Sequence, residues 1–564
     1  MRLKIIRLIA VLLFLLISAK LIHTQLILGW HYYNLSLSNS IRVVPIESKR
    51  GRIFDRNGIV LADNRASFDV VLIPQEAKDK DAVFAYLSKI SNKEKDSLRK
   101  IFRQRTISPF APVVLLKNIS RETAIVIEEN KFRFPGLFIQ ENIRRYHPFG
   151  EINAHLLGYV GKISRSRLTQ MKEYGYAMQD VVGYSGVEEY YDHFLKGEDG
   201  GLQIEVNNKG KQVRVLGSRD STKGQDVTLT IDNRIQEIAA QALKGHKGAV
   251  VVMDVDKGEI LGMVSFPSFD PNIFIEGRPE VSRFFSDSDA PLLNRVISGQ
   301  YPPGSTLKVT NTIGALETKK ITQGTTFFCQ GYYALGNRQF QCSHTHGAQN
   351  LIEGIAHSCN VYFFNVGLLI GPQTINKYAR LLGLGELTNI DLPSEAKGLI
   401  PDRPKRQNWH KGDILNVSIG QGDVLVTPIQ MVRMMAVVAR DGKFMHPHVV
   451  KAIGGAEVEE PGFGRHASVS QETLDILKMG LKSAVEDPAG TARALKIEGL
   501  PVYGKTGTAQ TSGGRDHHAW FVGYCPTAKT RIAFCIFLEY GGSSYNACMI
   551  GRDLLLRMKE EEIL

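Results

Sequence analysis

The chain has 564 residues, 43% of them hydrophobic and 22% charged, an ordinary globular composition that excludes wholesale disorder. No Gly-X-Y period, sustained heptad or tandem repeat is present, which excludes fibrous and solenoid architectures. The net charge of +12 is mild for this length. It calls for no nucleic-acid partner and suits an acidic polymer or a membrane surface equally well.

In chain order, the first element is the stretch from Leu8 to Leu28, apolar apart from Ser18, Lys20, His23, Thr24 and Gln25. As a helix it would be about 31 Å long, close to the hydrocarbon thickness of a bilayer. Arg2, Lys4 and Arg7 precede it, so the positive-inside rule predicts a cytoplasmic N-terminus and an extracytoplasmic body. Lys20 can snorkel towards the interface. A cleaved signal peptide is the alternative, but Ser18-Ala19 lacks an A-x-A pattern and the apolar run resumes after it. Residues 1–30 therefore read as a cytoplasmic tip and single-pass anchor.

Residues 31–220 read as an elongated α+β domain. Asn57-Gly58 between apolar residues is a hairpin signal. Residues 66–74 read as a strand, and the charged, periodic stretch 76–130 as mostly helical. Residues 221–564 read as a second α+β domain, an antiparallel sheet flanked by helices. Strands are expected at 226–231, 248–255, 258–265, 519–524 and 531–538. Helices are expected at Asn233–Leu243, Leu351–Leu369, Pro428–Arg440 and Ser470–Val485. With strands at both ends and helices between, both ends of the domain should close one sheet.

Three short motifs carry chemistry. Tyr301-Pro302-Pro303-Gly304-Ser305-Thr306-Leu307-Lys308 places Ser305 in the first turn of a helix and Lys308 one turn later on the same face. A desolvated lysine there can take the serine proton. His357-Ser358-Cys359-Asn360 adds a second hydroxyl and an amide. Val502 to Thr508 reads as an edge strand, with Lys505 for positive charge, Thr506 and Thr508 as hydroxyl donors, and Gly507 for close approach by a ligand. Each motif alone occurs by chance. Together, in this order and 53 and 147 residues apart, S-x-x-K, S-x-N and K-T-G form the signature of serine β-lactamases and penicillin-binding proteins.

On these motifs the chain resembles a class B penicillin-binding protein over nearly its whole length. The run from Arg50 to Ala62 and Gly186-Val187-Glu188 with Tyr190-Tyr191 look like the family's pedestal. Gly420-Gln421-Gly422, Thr427-Pro428 and His518-Ala519-Trp520-Phe521 look like its transpeptidase domain. Tyr301 to Gly304 resembles the elongation type, with the division type as runner-up. The resemblance implies peptidoglycan D,D-transpeptidation during elongation, with release of terminal D-alanine and covalent inhibition by β-lactams.

In that scheme Ser305 is the nucleophile and Lys308 its base. The N–H groups of Ser305 and Thr508 form the oxyanion hole. Ser358 relays a proton to the leaving group, Asn360 holds the stem-peptide backbone, and Lys505, Thr506, Gly507 and Thr508 hold the terminal carboxylate. Implied partners are peptidoglycan stem peptides, a polytopic glycosyltransferase of the elongation machinery and its scaffold proteins. Other readings are a β-lactamase, a penicillin sensor and a weakly active scaffold. The first lacks an assignable deacylating glutamate, the second needs several spans, and the third leaves competent motif residues unexplained.

Six cysteines all lie in the C-terminal half. Cys329, Cys342, His346 and Cys359 follow C-x12-C-x3-H-x12-C, a ligand set suited to a structural Zn²⁺. Elongation-type relatives resemble this loop but often carry aspartates in place of Cys329 and Cys342. His344 could replace His346, and a Cys329–Cys342 disulfide or free thiols are the alternatives. Cys525, Cys535 and Cys548 read as core cysteines. The transfer chemistry itself calls for no cofactor.

Overall fold

The apolar run from Leu8 to Ile17 forms the centre of an α-helix, Arg2–Ile22, with no buried side chain, continued by a π-helical turn over His23–Ile27. The hydroxyl of Thr24 is satisfied by the carbonyl of Lys20. Among the described residues this is the one helix long and apolar enough to cross a membrane. The structure is a computed structural model. It describes residues 2–171, 175–178, 180–207, 212–276, 280–401, 409–459, 465–511, 513–527 and 529–564.

The described chain divides into two units. The first comprises Met1–Arg50, Asn64–Arg144 and Lys196–Gly224. In it, Ile41–Ile46, Gly200–Val206 and Gln212–Arg219 form a three-stranded antiparallel sheet. Helices Lys80–Ser91 and Lys95–Arg105 bury Val83, Phe84, Leu87 and Leu98 against Val70, Leu72, Val113 and Leu115. The span 76–130 is less helical than its charge pattern suggests. Val113–Ile119 is a strand paired with Phe68–Leu72. Its short apolar run is β-branched and packs into the core, which overrides the helical periodicity of its flanks.

The second unit comprises Gly51–Asp63, Arg145–Leu195 and Gln225–Leu564. The units are thus not consecutive in sequence. Ile53–Phe54 pairs in parallel with Val227–Leu229, which pairs on its other side with Val450–Ile453. Within this unit, buried Arg145 donates through Nε to Glu188 at 2.5 Å and through Nη1 to the carbonyl of Gly51 at 2.6 Å. These long-range pairings hold residues 51–63 and 145–195 with the C-terminal part.

The centre of this unit is a five-stranded antiparallel sheet, in the order Ile260–Phe266, Gly248–Asp254, Arg531–Leu538, His518–Pro526 and Tyr503–Ala509. Gly248 lies opposite Leu538, so both ends of the domain close one sheet, as the strand pattern predicts. Alternate residues face opposite layers. Val250, Val252, Phe521, Phe534 and Ile536 pack on helices Asn233–Ala242 and Ser544–Glu560. Val251, Trp520, Val522 and Phe537 pack in the core with Pro428–Ala439 and the helices that carry the motifs. Both faces are covered, which accounts for near-continuous apolar strands. Cys525, Cys535 and Cys548 are buried in these layers.

Candidate active site

Pro302 and Pro303 block helix until Gly304. Gly304–Leu307 then forms one 3₁₀ turn that runs into the helix Lys308–Glu317. Gly304 has φ +55°, and a Cβ there would lie 2.7 Å from the carbonyl oxygen of Thr508. Glycine is required at this position, where the serine turn meets the edge strand. The N–H of Gly304 donates to the carbonyl of Gly420 at 3.0 Å. The indole N–H of Trp520 donates to the carbonyl of Pro302 at 3.1 Å, and the ring of Tyr301 packs on Phe537 with centroids 4.1 Å apart. The Ser305 turn is therefore held at three points, two of them on the sheet at Trp520 and Phe537 and one at Gly420.

Lys308 is 1% exposed. Its Nζ donates to the carbonyl of Ser358 at 2.7 Å and to Oδ1 of Asn360 at 2.8 Å, with Ser358 Oγ at 3.3 Å. Burial pushes its pKa down to about 8, against an opposing pull from the nearby thiols of Cys342 and Cys359. A buried ammonium is costly, so the neutral amine becomes accessible near physiological pH.

The expected helix Leu351–Leu369 is instead two helices, Leu351–Ala356 and Asn360–Leu381, broken at the second motif. Ser358 sits at φ +54°, a strained conformation for a side-chain-bearing residue. The break turns Ser358 out of a helical register and between two lysines. Lys505, wholly buried, donates from Nζ to Ser358 Oγ at 2.7 Å and to the carbonyl of Thr506 at 3.2 Å. Burial, then the nearby charge of Lys308, lowers the Lys505 pKa well below the usual lysine range.

Tyr503–Ala509 is the last strand of the sheet, so its outer edge is open. Ser305, Ser358, Asn360, Thr506 and Thr508 line one cleft of about 720 Å³ beside it. Lys308 and Lys505 are buried beside it and are hydrogen-bonded to its lining residues, Lys308 to Ser358 and Asn360 and Lys505 to Ser358. Lys505 is thus not a lining residue. Gly507 also serves the packing of the serine turn. A Cβ there would come within 2.8 Å of Thr306 Cγ2 and 2.9 Å of the carbonyl of Pro303. The missing side chain makes room for the serine turn.

The cleft further includes His357, next to the second motif, and Gln349, Thr491, Ser543 and Tyr545, none of which stands out in the sequence. Thr491 is the most direct omission. Its Oγ1 accepts a hydrogen bond from Thr506 Oγ1 at 2.8 Å. The turn-rich Asp487-Pro488-Ala489-Gly490 run just before it was the available signal.

Beside Ser358, Cys329, Cys342, His346 and Cys359 converge, their ligand atoms all within 4.8 Å of one another. The short ribbons Phe327–Cys329 with Gly347–Gln349, and Tyr332–Leu335 with Arg338–Gln341, bring them together. Nδ1 of His346 lies 3.6 Å from Cys329 Sγ and 3.5 Å from Cys342 Sγ, and Cys342 Sγ is 4.0 Å from Cys359 Sγ. All six cysteines are unbridged, and His346 rather than His344 completes the set. The N–H of Asn360 donates to Cys342 Sγ at 3.2 Å and that of Tyr362 to Cys359 Sγ at 3.4 Å.

The penicillin binding protein transpeptidase domain family matches residues 248–554, and the penicillin-binding protein dimerisation domain family matches residues 45–229. The chain belongs to the class B penicillin-binding proteins. The peptidoglycan D,D-transpeptidase MrdA of Acinetobacter baumannii is 32% identical over 556 residues, covering 93% of this chain and 83% of that protein. A complex of the penicillin-binding protein PBP2 with MreC from Helicobacter pylori contains a similar chain. It has a TM-score of 0.81 and 29% identity, over 93% of this chain and all of that one. A chain in a peptidoglycan synthase complex that coordinates polymerization and crosslinking gives a TM-score of 0.74 at 30% identity, over 98% and 97%. Within this family the cleft around Ser305 coincides with the three motifs on which the class is recognised.

Proposed function

We propose that this penicillin-binding protein is an elongation-type peptidoglycan D,D-transpeptidase working through an acyl-enzyme on Ser305. The observation that carries the reading is the convergence of Ser305, Ser358, Asn360, Thr506 and Thr508 in one cleft, with two buried lysines on Ser358. The similarity to MrdA and PBP2 proteins supports the substrate class and the elongation role.

Neutral Lys308 takes the proton as Ser305 Oγ attacks the carbonyl between the terminal D-alanines. Negative charge develops on the carbonyl oxygen, and the N–H groups of Ser305 and Thr508 stabilise it. The C–N bond breaks, and the leaving amine takes a proton through Ser358, whose oxygen accepts from Lys505. Asn360 positions Lys308 through Oδ1, and Thr506 and Thr508 hold the terminal carboxylate. An amine from a second stem then resolves the ester. β-Lactams place an acyl group on the same oxygen that leaves slowly.

The apolar helix is read as a single-pass anchor in the cytoplasmic membrane, with the N-terminus inside and the cleft outside. The complexes in which the similar chains occur, one with MreC and one a peptidoglycan synthase complex, support a scaffold protein and a synthase as partners. The synthase expected from the sequence is a polytopic glycosyltransferase.

Cys329, Cys342, His346 and Cys359 are proposed to hold one structural Zn²⁺. Tetrahedral zinc with Zn–S near 2.3 Å and Zn–N near 2.0 Å needs ligand atoms about 3.5–3.8 Å apart. The 3.5 and 3.6 Å imidazole–thiol separations fit, and the 4.0 Å between Cys342 and Cys359 Sγ is slightly wider, within a set whose ligand atoms all lie within 4.8 Å of one another. When bound, the ion supplies cross-linking of the loop and no reaction chemistry.

The direct test is formation of cross-linked dimer from purified stem pentapeptides by the detergent-solubilised chain. Depletion in cells should give rounding. Filamentation would instead favour the division type.

A further inference from the structure

The cleft does not end at Thr506. Past Ala489, Thr491 and Tyr545, which line both spaces, it continues into a second cavity of about 580 Å³. Arg493, Lys496 and Arg552 line this cavity, with Met549 on its wall and no carboxylate. Arg493 is tied to the carbonyl of Pro488 at 3.0 Å. Lys496 and Arg552 are exposed, and neither makes an ion pair among the described residues. Three cations around one concavity repel each other and focus a positive potential that an anionic ligand would relieve.

Its position says which anion. The terminal carboxylate of the donor stem is assigned to Thr506 and Thr508. Thr506 Oγ1 donates to Thr491 Oγ1 at 2.8 Å, and Thr491 is the threshold of the basic cavity. The cavity therefore lies on the side from which D-alanine departs. In the second half-reaction an amine replaces that D-alanine. The ester C–O bond to Ser305 breaks, an amide C–N bond forms, and the amine proton returns to Ser305 Oγ. By microscopic reversibility the amine arrives along the path the leaving group took, so the body of the acceptor extends past Thr491. A stem peptide carries free carboxylates along its length.

We propose that this cavity is the acceptor subsite, in which Arg493, Lys496 and Arg552 bind the carboxylates of the stem peptide whose amine resolves the Ser305 ester. The proposal rests on the transpeptidase reading above. It makes charge on the acceptor, rather than the amine alone, a determinant of transfer against hydrolysis.

The test uses the full chain in detergent, a small acyl-D-alanyl thioester as donor, and two acceptors. Both are tetrapeptide stems with a free side-chain amine, one with free carboxylates and one with them amidated. In Lys496→Glu/Arg552→Glu, the ratio of transfer to hydrolysis should fall about tenfold with the acidic acceptor and less than about twofold with the amidated one. Penicillin acylation of Ser305 should stay within about twofold of the parent, because it does not use the cavity. Arg552→Gln alone should show the same pattern in smaller degree, and Lys496→Arg, which keeps the positive charge, should leave the ratio as in the parent. An unchanged transfer ratio, or equal loss with both acceptors, would overturn the proposal. Failure of the unsubstituted protein to react with penicillin is a separate result and would overturn the transpeptidase reading beneath it.

Discussion

Nζ of Lys505 lies 2.7 Å from Oγ of Ser358, and the same oxygen is 3.3 Å from Nζ of Lys308. One hydroxyl thus links two buried lysines that come from helix and strand elements far apart in sequence. Burial lowers the pKa of both, and their mutual repulsion adds to the effect on Lys505. The arrangement favours one neutral lysine in the pair, and the neutral form is what deprotonation of Ser305 requires.

Acylation should therefore depend on pH. The base works deprotonated, so the second-order rate with a β-lactam should rise with pH and reach half its plateau near the Lys308 value of about 8. Below that the rate should fall tenfold per pH unit. A rate that declines on raising the pH from 6 to 8 contradicts the assignment.

Lys308→Ala should slow acylation about 10² to 10⁴-fold, as expected for loss of a general base. Lys505→Ala should cost less, because it acts through Ser358. Stopped-flow or competition labelling of both variants decides the order, and a larger loss in Lys505→Ala would reverse the roles.

Gly507→Ala tests why the edge strand needs glycine. The added methyl would press on Thr306 Cγ2 and the Pro303 carbonyl, so the serine turn must shift. A displacement of the order of 1 Å can lower the rate by about 10²-fold. Overpacking of this kind typically costs about 1–3 kcal/mol. Acylation rate and melting temperature should both fall. Normal acylation in a folded Gly507→Ala protein would show that the turn is not so constrained.

The metal proposal has its own readout. Purified protein should carry about one zinc per chain, as a closed four-ligand site implies. Cys342→Ser should lose both the zinc and thermal stability. Protein that is metal-free, yet melts unchanged with and without chelator, would exclude the site.

Much of this was legible in the sequence, for identifiable reasons. Gly304, Ser305, Lys308 and the strand around Lys505 obey local rules of proline, glycine and alternation, and the cysteine and histidine spacing pointed to the cluster that forms. The break at Ser358 was not legible, because Leu351 to Leu369 has a continuous helical pattern and the interruption comes from tertiary contacts with Lys308 and Lys505. The grouping of Gly51–Asp63 with the C-terminal unit was hidden too. It depends on parallel pairing of Ile53 with Val227, a contact with no local signature. Thr491 was missed because its role comes from one hydrogen bond across the fold.

The central claim is that Ser305 is the nucleophile. Intact-protein and peptide mass spectrometry after reaction with a penicillin tests it most directly. The account predicts one adduct per chain, on the peptide containing Ser305, absent in Ser305→Ala protein that melts like the parent. An adduct on any other residue, or one that persists in Ser305→Ala, would contradict it.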